Sequence, residues 1–132
     1  MKTLIVEDEP TSRFLLQTIL SGYGDCDTAT DGLEAVEAFK SALERGAPYD
    51  LICMDIMMPK LDGHEALARI RAIEKERSVP AQKAVKVIMT SALGDPKNVV
   101  KALYGEGAGS YLVKPIEKQK LLEELQCMGL IE

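Results

Sequence analysis

Five times along the chain a short, continuously apolar run gives way to a longer stretch in which apolar residues recur every three or four positions. Runs of the first kind suit strands of a parallel sheet covered on both faces, and stretches of the second suit the helices that cover it. The first run, Leu4-Ile5-Val6, stops at Glu7-Asp8, and Pro10 opens a predicted helix with Phe14, Leu15 and Ile19 on its apolar face, closed by Gly22 and Gly24. A weaker strand is expected over residues 26–30. Asp31 and Glu34 then stand at capping-box spacing before a helix whose inward face is Leu33, Val36, Phe39 and Leu43, and Gly46 and Pro48 stop it. Leu51-Ile52-Cys53-Met54 is the strongest strand pattern of all, and it ends in Asp55.

A loop from Ile56 to Gly63 leads to a third helix through about residue 76, and the polar stretch 77–84, with Pro80, is expected as a surface connection. The fourth strand is expected over 85–89, running into Thr90-Ser91-Ala92, and the fourth helix over 98–106, punctuated by Gly107 and Gly109. Residues 110–113 form a fifth strand ending in Lys114-Pro115, and 117–128 a closing helix with Leu121, Leu122 and Leu125 inward. The cadence is (βα)5, an α/β domain with no repeat, low-complexity segment or linker. Crossovers between parallel strands are right-handed, so the strand order must reverse somewhere, and polar residues at the carboxyl ends of strands beside that reversal line a ligand crevice.

Composition narrows the function classes. A chain of 132 residues, 46% hydrophobic and 28% charged, suits one core rather than two. Its net charge of -5 disfavours binding to nucleic acid or an anionic membrane, and neither a membrane span nor a signal peptide is evident, so a cytoplasmic location is expected. Cys26, Cys53 and Cys127 are odd in number and far apart, which suits reduced, mostly packed thiols rather than disulfides or a zinc site. The charge is uneven: residues 1–66 carry 13 acids and 5 bases, residues 67–132 carry 8 acids and 11 bases. Such asymmetry arises from differently solvated helix faces, or from carboxylates converging on a cation.

The strand ends favour the second. Strands one, three, four and five are followed by Glu7-Asp8, Asp55, Ser91 or Thr90, and Lys114. Three carboxylates held close repel one another unless a cation intervenes, and hard oxygen ligands suit Mg²⁺, which also takes phosphate oxygens. Lys114 and a hydroxyl could bind a phosphoryl group, leaving one carboxylate as nucleophile, and Asp55 is the central candidate.

Taken together, Leu4-Ile5-Val6-Glu7-Asp8-Glu9-Pro10, Asp31-Gly32-Leu33-Glu34-Ala35, Asp50 through Pro59, Asp62-Gly63, Thr90-Ser91-Ala92 and Lys114-Pro115 resemble the receiver domains of two-component response regulators, of the stand-alone CheY-like kind. The resemblance spans essentially all of residues 1–132 and leaves no stretch for an output module. It implies a doubly wound, three-layer, flavodoxin-like fold with a five-stranded parallel sheet in the order 2-1-3-4-5. It also implies that Asp55 accepts a phosphoryl group from a histidine kinase or histidine phosphotransfer protein. Glu7, Asp8, Asp55 and the Met57 carbonyl would hold Mg²⁺, or Mn²⁺ in its place, with Glu7 acting through water. Ser91 and Lys114 would contact the phosphoryl group, Ser91 and Tyr111 would form the switch, and Lys114-Pro115 would be a cis bond. Output would be changed binding of a protein target to the face made by the fourth helix, fifth strand and fifth helix, without DNA binding, membrane insertion or turnover, in a monomer or weak phosphorylation-dependent dimer.

Ser91 is preferred to Thr90 as the switch hydroxyl because Ala92 follows it in the family pattern. Tyr111 alone would suit an ordinary half-wet strand residue. The single histidine, His64, suits a solvated or capping position better than phosphotransfer. Met57 and Met58 suit packing beneath the loop. Met57 and Leu93, apolar where relatives carry polar groups that orient water, imply slow hydrolysis of an acyl phosphate. Two other classes compete: a Mg²⁺-dependent phosphatase with an aspartyl-phosphate intermediate, disfavoured because Met57 stands where its second aspartate belongs, and a phosphorylation-independent pseudo-receiver, disfavoured because no core site residue is missing.

Overall fold

A computed structural model of the chain describes residues 1–91 and 109–132. The predicted helix over 98–106, with Ala92, Leu93 and Gly107, lies outside the described residues. Five strands, β1 (Thr3–Val6), β2 (Cys26–Ala29), β3 (Leu51–Asp55), β4 (Lys86–Ser91) and β5 (Ser110–Val113), form one parallel sheet in the order β2-β1-β3-β4-β5. Three helices, α1 (Pro10–Leu20), α2 (Gly32–Glu44) and α3 (Gly63–Glu76), and a C-terminal helix (Lys118–Cys127) cover its two faces. This is the expected doubly wound α/β fold.

Strand alternation sorts the core into two layers. Leu4, Val6, Ile52, Met54, Val87 and Met89 pack with Phe39 of α2 and Leu67 and Ile70 of α3. Ile5, Leu51, Cys53 and Ile88, on the opposite face, pack with Leu16, Ile19 and Leu20 of α1 and Leu121 and Leu125 of the C-terminal helix. All five residues of β3 are buried, as a central strand between two helical layers requires.

Helix starts follow the expected chemistry. The Asp31 carboxylate accepts from Glu34 N–H at 2.8 Å, and the Glu34 carboxylate in turn accepts from Thr30 N–H at 3.2 Å, one residue earlier than in a standard capping box. Asp62 caps α3 through Glu65 N–H at 2.9 Å. The polar connection after α3 contains a single 3₁₀ turn, Ala81–Lys83.

Two helix faces differ from expectation. Phe14 is 71% exposed and Leu15 is also exposed, whereas Leu16, Ile19 and Leu20 are buried. Residues 16, 19 and 20 share one side at the helical repeat, and Phe14, two positions before Leu16, lies across the helix from it. In α2, Leu33 is exposed for the same reason, and Gly32, Ala35, Phe39 and Ala42 face inward.

Candidate functional site

The site lies where the sheet order reverses, between β1 and β3, at the carboxyl ends of the strands. Each parallel strand delivers its last residues to that edge. Val6 pairs with Met54, so Glu7 and Asp55 follow side by side. The backbone ladder continues past the strands: Ile56 N–H donates to Thr90 O at 2.9 Å and Lys114 N–H to Ser91 O at 2.8 Å. Lys114 is thereby brought over the centre of the sheet, and the Lys114–Pro115 bond is cis, as expected.

Glu7, Asp8 and Asp55 each place a carboxylate oxygen within 4.8 Å of the others. Glu7 is fully buried, Asp55 nearly so, and Asp8 is exposed. The Lys114 ammonium pairs with Glu7 Oε1 and with Asp55 Oδ2, the latter at 3.0 Å. Burial alone would lower the Lys114 pKa, but hydrogen bonds to Glu7 and Asp55 outweigh it and hold the ammonium above the ordinary lysine value. The other Asp55 oxygen, Oδ1, accepts from Met57 N–H at 3.2 Å, so the loop backbone wraps onto the carboxylate.

Further contacts, with no pattern to announce them in the sequence, hold this arrangement. Glu7 Oε2 accepts from Glu9 N–H at 3.1 Å, and the Arg13 guanidinium donates to the Glu7 backbone carbonyl at 3.0 Å. Glu9 caps α1 through Ser12 N–H at 2.6 Å and Thr11 N–H at 3.0 Å, and these bonds hold its carboxyl down at about 2. The loop is clamped from α2: a side chain at Gly32 would meet Leu61 O at 2.1 Å, and Lys60 pairs with Asp31 at 3.6 Å. A Cβ at Gly63 would meet Asp55 O at 2.5 Å, which explains why glycine follows the Asp62 cap.

Thr90 and Ser91 are both buried within β4 beside the site, and Tyr111 is half-buried against the core. Two expectations change. His64 is buried rather than solvated, because the start of α3 lies against the core rather than above it. Met57 is 64% exposed, and of the two methionines Met58 packs beneath the loop, because the chain bends at Ile56 and Met57. Leu93 lies outside the described residues.

The donor set fits a divalent cation. Three carboxylates supply hard oxygens on one rim, one of them open to solvent, and their combined negative charge exceeds what the single Lys114 ammonium neutralises.

A doubly wound sheet in this strand order places the chain among the flavodoxin-like α/β domains, here with an acidic edge and a lysine at the end of β5, and the sequence profile of the response regulator receiver domain matches residues 3–126. The chain belongs to the response regulator receiver family, a component of two-component and phosphorelay signalling. It is 40% identical over 126 residues to the chemotaxis protein CheY of Treponema pallidum (strain Nichols), covering 94% of this chain and 79% of that protein. Among solved structures it resembles a CheX–CheY–BeF3–Mg²⁺ complex from Borrelia burgdorferi, with a TM-score of 0.82, 32% identity, and 100% of this chain and 90% of that chain covered. A receiver domain of Saccharomyces cerevisiae in complex with a histidine phosphotransfer protein gives a TM-score of 0.82 at 29% identity, with 99% and 92% covered. No described helix is long and apolar enough to cross a membrane.

Proposed function

We propose that this chain is a phosphorylation-activated switch in which Asp55 accepts a phosphoryl group from a phosphohistidine on a histidine kinase or phosphotransfer protein. The observation that carries the reading is the environment of Asp55: its carboxylate is gripped by Lys114 and by the Met57 N–H at the end of a fully buried strand, next to two further carboxylates. Glu7, Asp8, Asp55 and the Met57 carbonyl would hold Mg²⁺, with Glu7 acting through water. Mg²⁺, or Mn²⁺, supplies charge neutralisation that lets a phosphoryl dianion approach an acidic edge. Lys114 orients the carboxylate in the resting state and binds a phosphoryl oxygen afterwards, while Ser91 donates to another and Tyr111 follows it. The attacking carboxylate oxygen forms the new bond to phosphorus as the bond to the donor imidazole nitrogen breaks, leaving that electron pair on the ring.

Output is binding rather than turnover. The Borrelia and yeast relatives each sit in complex with a protein, which supports this mode. A groove of about 170 Å³ beside the site, lined by Leu15, Leu16, Pro115 and Ile116 among others, suits the donor protein. A larger groove of about 430 Å³ is lined by residues 111–117 and Lys120 and lies on the face assigned to the downstream target. All the described elements are assigned to the receiver unit, working in the cytoplasm as a monomer or weak dimer.

Incubation with Mg²⁺ and acetyl phosphate or phosphoramidate, followed by intact mass, tests the reading. One phosphate adduct on the wild-type chain, absent from Asp55→Asn, is the expected result. No adduct on the wild type would return the chain to the pseudo-receiver class, and rapid multiple turnover of the donor to the phosphatase class.

A further inference from the structure

Asp8 is the exposed member of the acidic edge, and among the described residues no hydrogen bond or ion pair holds its carboxylate. Its place is therefore set by its backbone. The connection from β1 to α1 consists of Glu7, Asp8 and Glu9, so two peptide units flank Asp8. A peptide unit is planar, and fixing the direction of one of its polar atoms constrains the plane as a whole, including the Asp8 Cα that both units share. Each of the two units is pinned at one such atom. After Asp8, the Glu9 N–H donates to Glu7 Oε2 at 3.1 Å. Before it, the Glu7 carbonyl accepts from the Arg13 guanidinium at 3.0 Å.

Arg13 is half-buried in the first turn of α1, where its own N–H donates to Glu9 O at 3.0 Å, and its side chain reaches back past that turn to Glu7. Among the described residues the guanidinium makes this bond and no other, although three carboxylates stand nearby. As a charge, a guanidinium beside a cation site works against the cation. As a donor it does the opposite, because it holds the plane from which Asp8 departs and spares the cation the cost of ordering that ligand. We propose that Arg13 is a positioning residue for the divalent cation: by gripping the Glu7–Asp8 peptide it keeps the Asp8 carboxylate gathered with those of Glu7 and Asp55, and this outweighs its repulsion. The inference rests on the reading of this edge as a Mg²⁺ or Mn²⁺ site.

Mn²⁺ alone, followed by the EPR signal of the free ion well below the thermal midpoint, reports affinity without any phosphoryl donor. It is measured, together with the midpoint of the metal-free chain, for wild type, Arg13→Met, which keeps an apolar stem and no donor, and Arg13→Lys, which keeps a charged donor. Arg13→Met is expected to weaken Mn²⁺ about three- to tenfold, the worth of one hydrogen bond, and Arg13→Lys to recover most of that loss. In phosphorylation by acetyl phosphate, Arg13→Met is expected to need correspondingly more Mg²⁺ for its half-maximal rate and to match the wild type at saturating Mg²⁺. A merely structural role would move the midpoint alone. Tighter Mn²⁺ in Arg13→Met would show that the charge outweighs the bond and would overturn the proposal. Unchanged affinity, or equal loss in both variants, would overturn it too, leaving the metal site in place, whereas a wild-type chain that binds no Mn²⁺ would overturn the metal site as well.

Discussion

Lys114 shows how much of the resting site depends on one side chain. Its ammonium is shared by Asp55 and by Glu7, a carboxylate with no solvent exposure. Removing one partner of a buried ion pair leaves an uncompensated charge, so Lys114→Ala is expected to cost about 3 kcal/mol in metal-free buffer. Glu7→Gln in the same chain should recover a large part of it, and chemical denaturation of the single and double variants measures both. The pH dependence has a definite sign. A lysine whose folded pKa is raised contributes stability that is complete below its ordinary value of 10.5 and is lost as pH climbs through the raised one. The wild type should therefore lose stability relative to Lys114→Ala only in that alkaline window. At this scale the sequence revealed the residues whose type and place both carry chemistry: Glu7, Asp8, Asp55 and Lys114 could be found because each stands within two residues of the end of an apolar run. Arg13 and Glu9 could not, since a surface arginine and a helix-start glutamate carry no mark of the backbone groups they meet.

At the scale of elements, the loop after β3 is held by close approach more than by side-chain bonds. Gly63→Ala would drive a methyl into Asp55 O, Ile56 Cα and the Met89 methyl, and two of those three atoms are backbone. The expected cost is about 1–3 kcal/mol, with a drop in the phosphorylation rate from acetyl phosphate, because the displaced strand end carries Asp55, the proposed acceptor. Urea denaturation and intact-mass time courses check the two halves separately. Strand positions and helix caps were legible because alternation and capping are local. The facing of α1 was not, because Phe14, Leu15, Leu16, Ile19 and Leu20 include more apolar residues than one face can bury, and only the sheet beneath selects Leu16, Ile19 and Leu20. The burial of His64 was hidden similarly: its polarity suggested solvent, while its place in the first turn of α3 set it against the core.

At the scale of the whole molecule, the three free cysteines sample its layers. Cys127 is exposed near the end of the C-terminal helix, Cys26 is half-buried on the edge strand, and Cys53 is buried in the central strand. Burial first, and the nearby Glu7 carboxylate second, push the Cys53 thiol up to about 12. A thiol reagent at neutral pH is expected to label one cysteine quickly and one slowly, with the third reacting only in denaturant; peptide mapping identifies each. The same layering bears on how the chain acquires its chemistry. The contact that ties Lys114 to Glu7 and Asp55 joins residues from the beginning, middle and end of the polypeptide, and it forms only when β5 has been laid against β4. Loop closure over that distance comes late and slowly in folding. During synthesis, therefore, Asp55 emerges long before the lysine meant to restrain it, and a nascent chain holds its acidic residues without their internal cation until the final strand has docked.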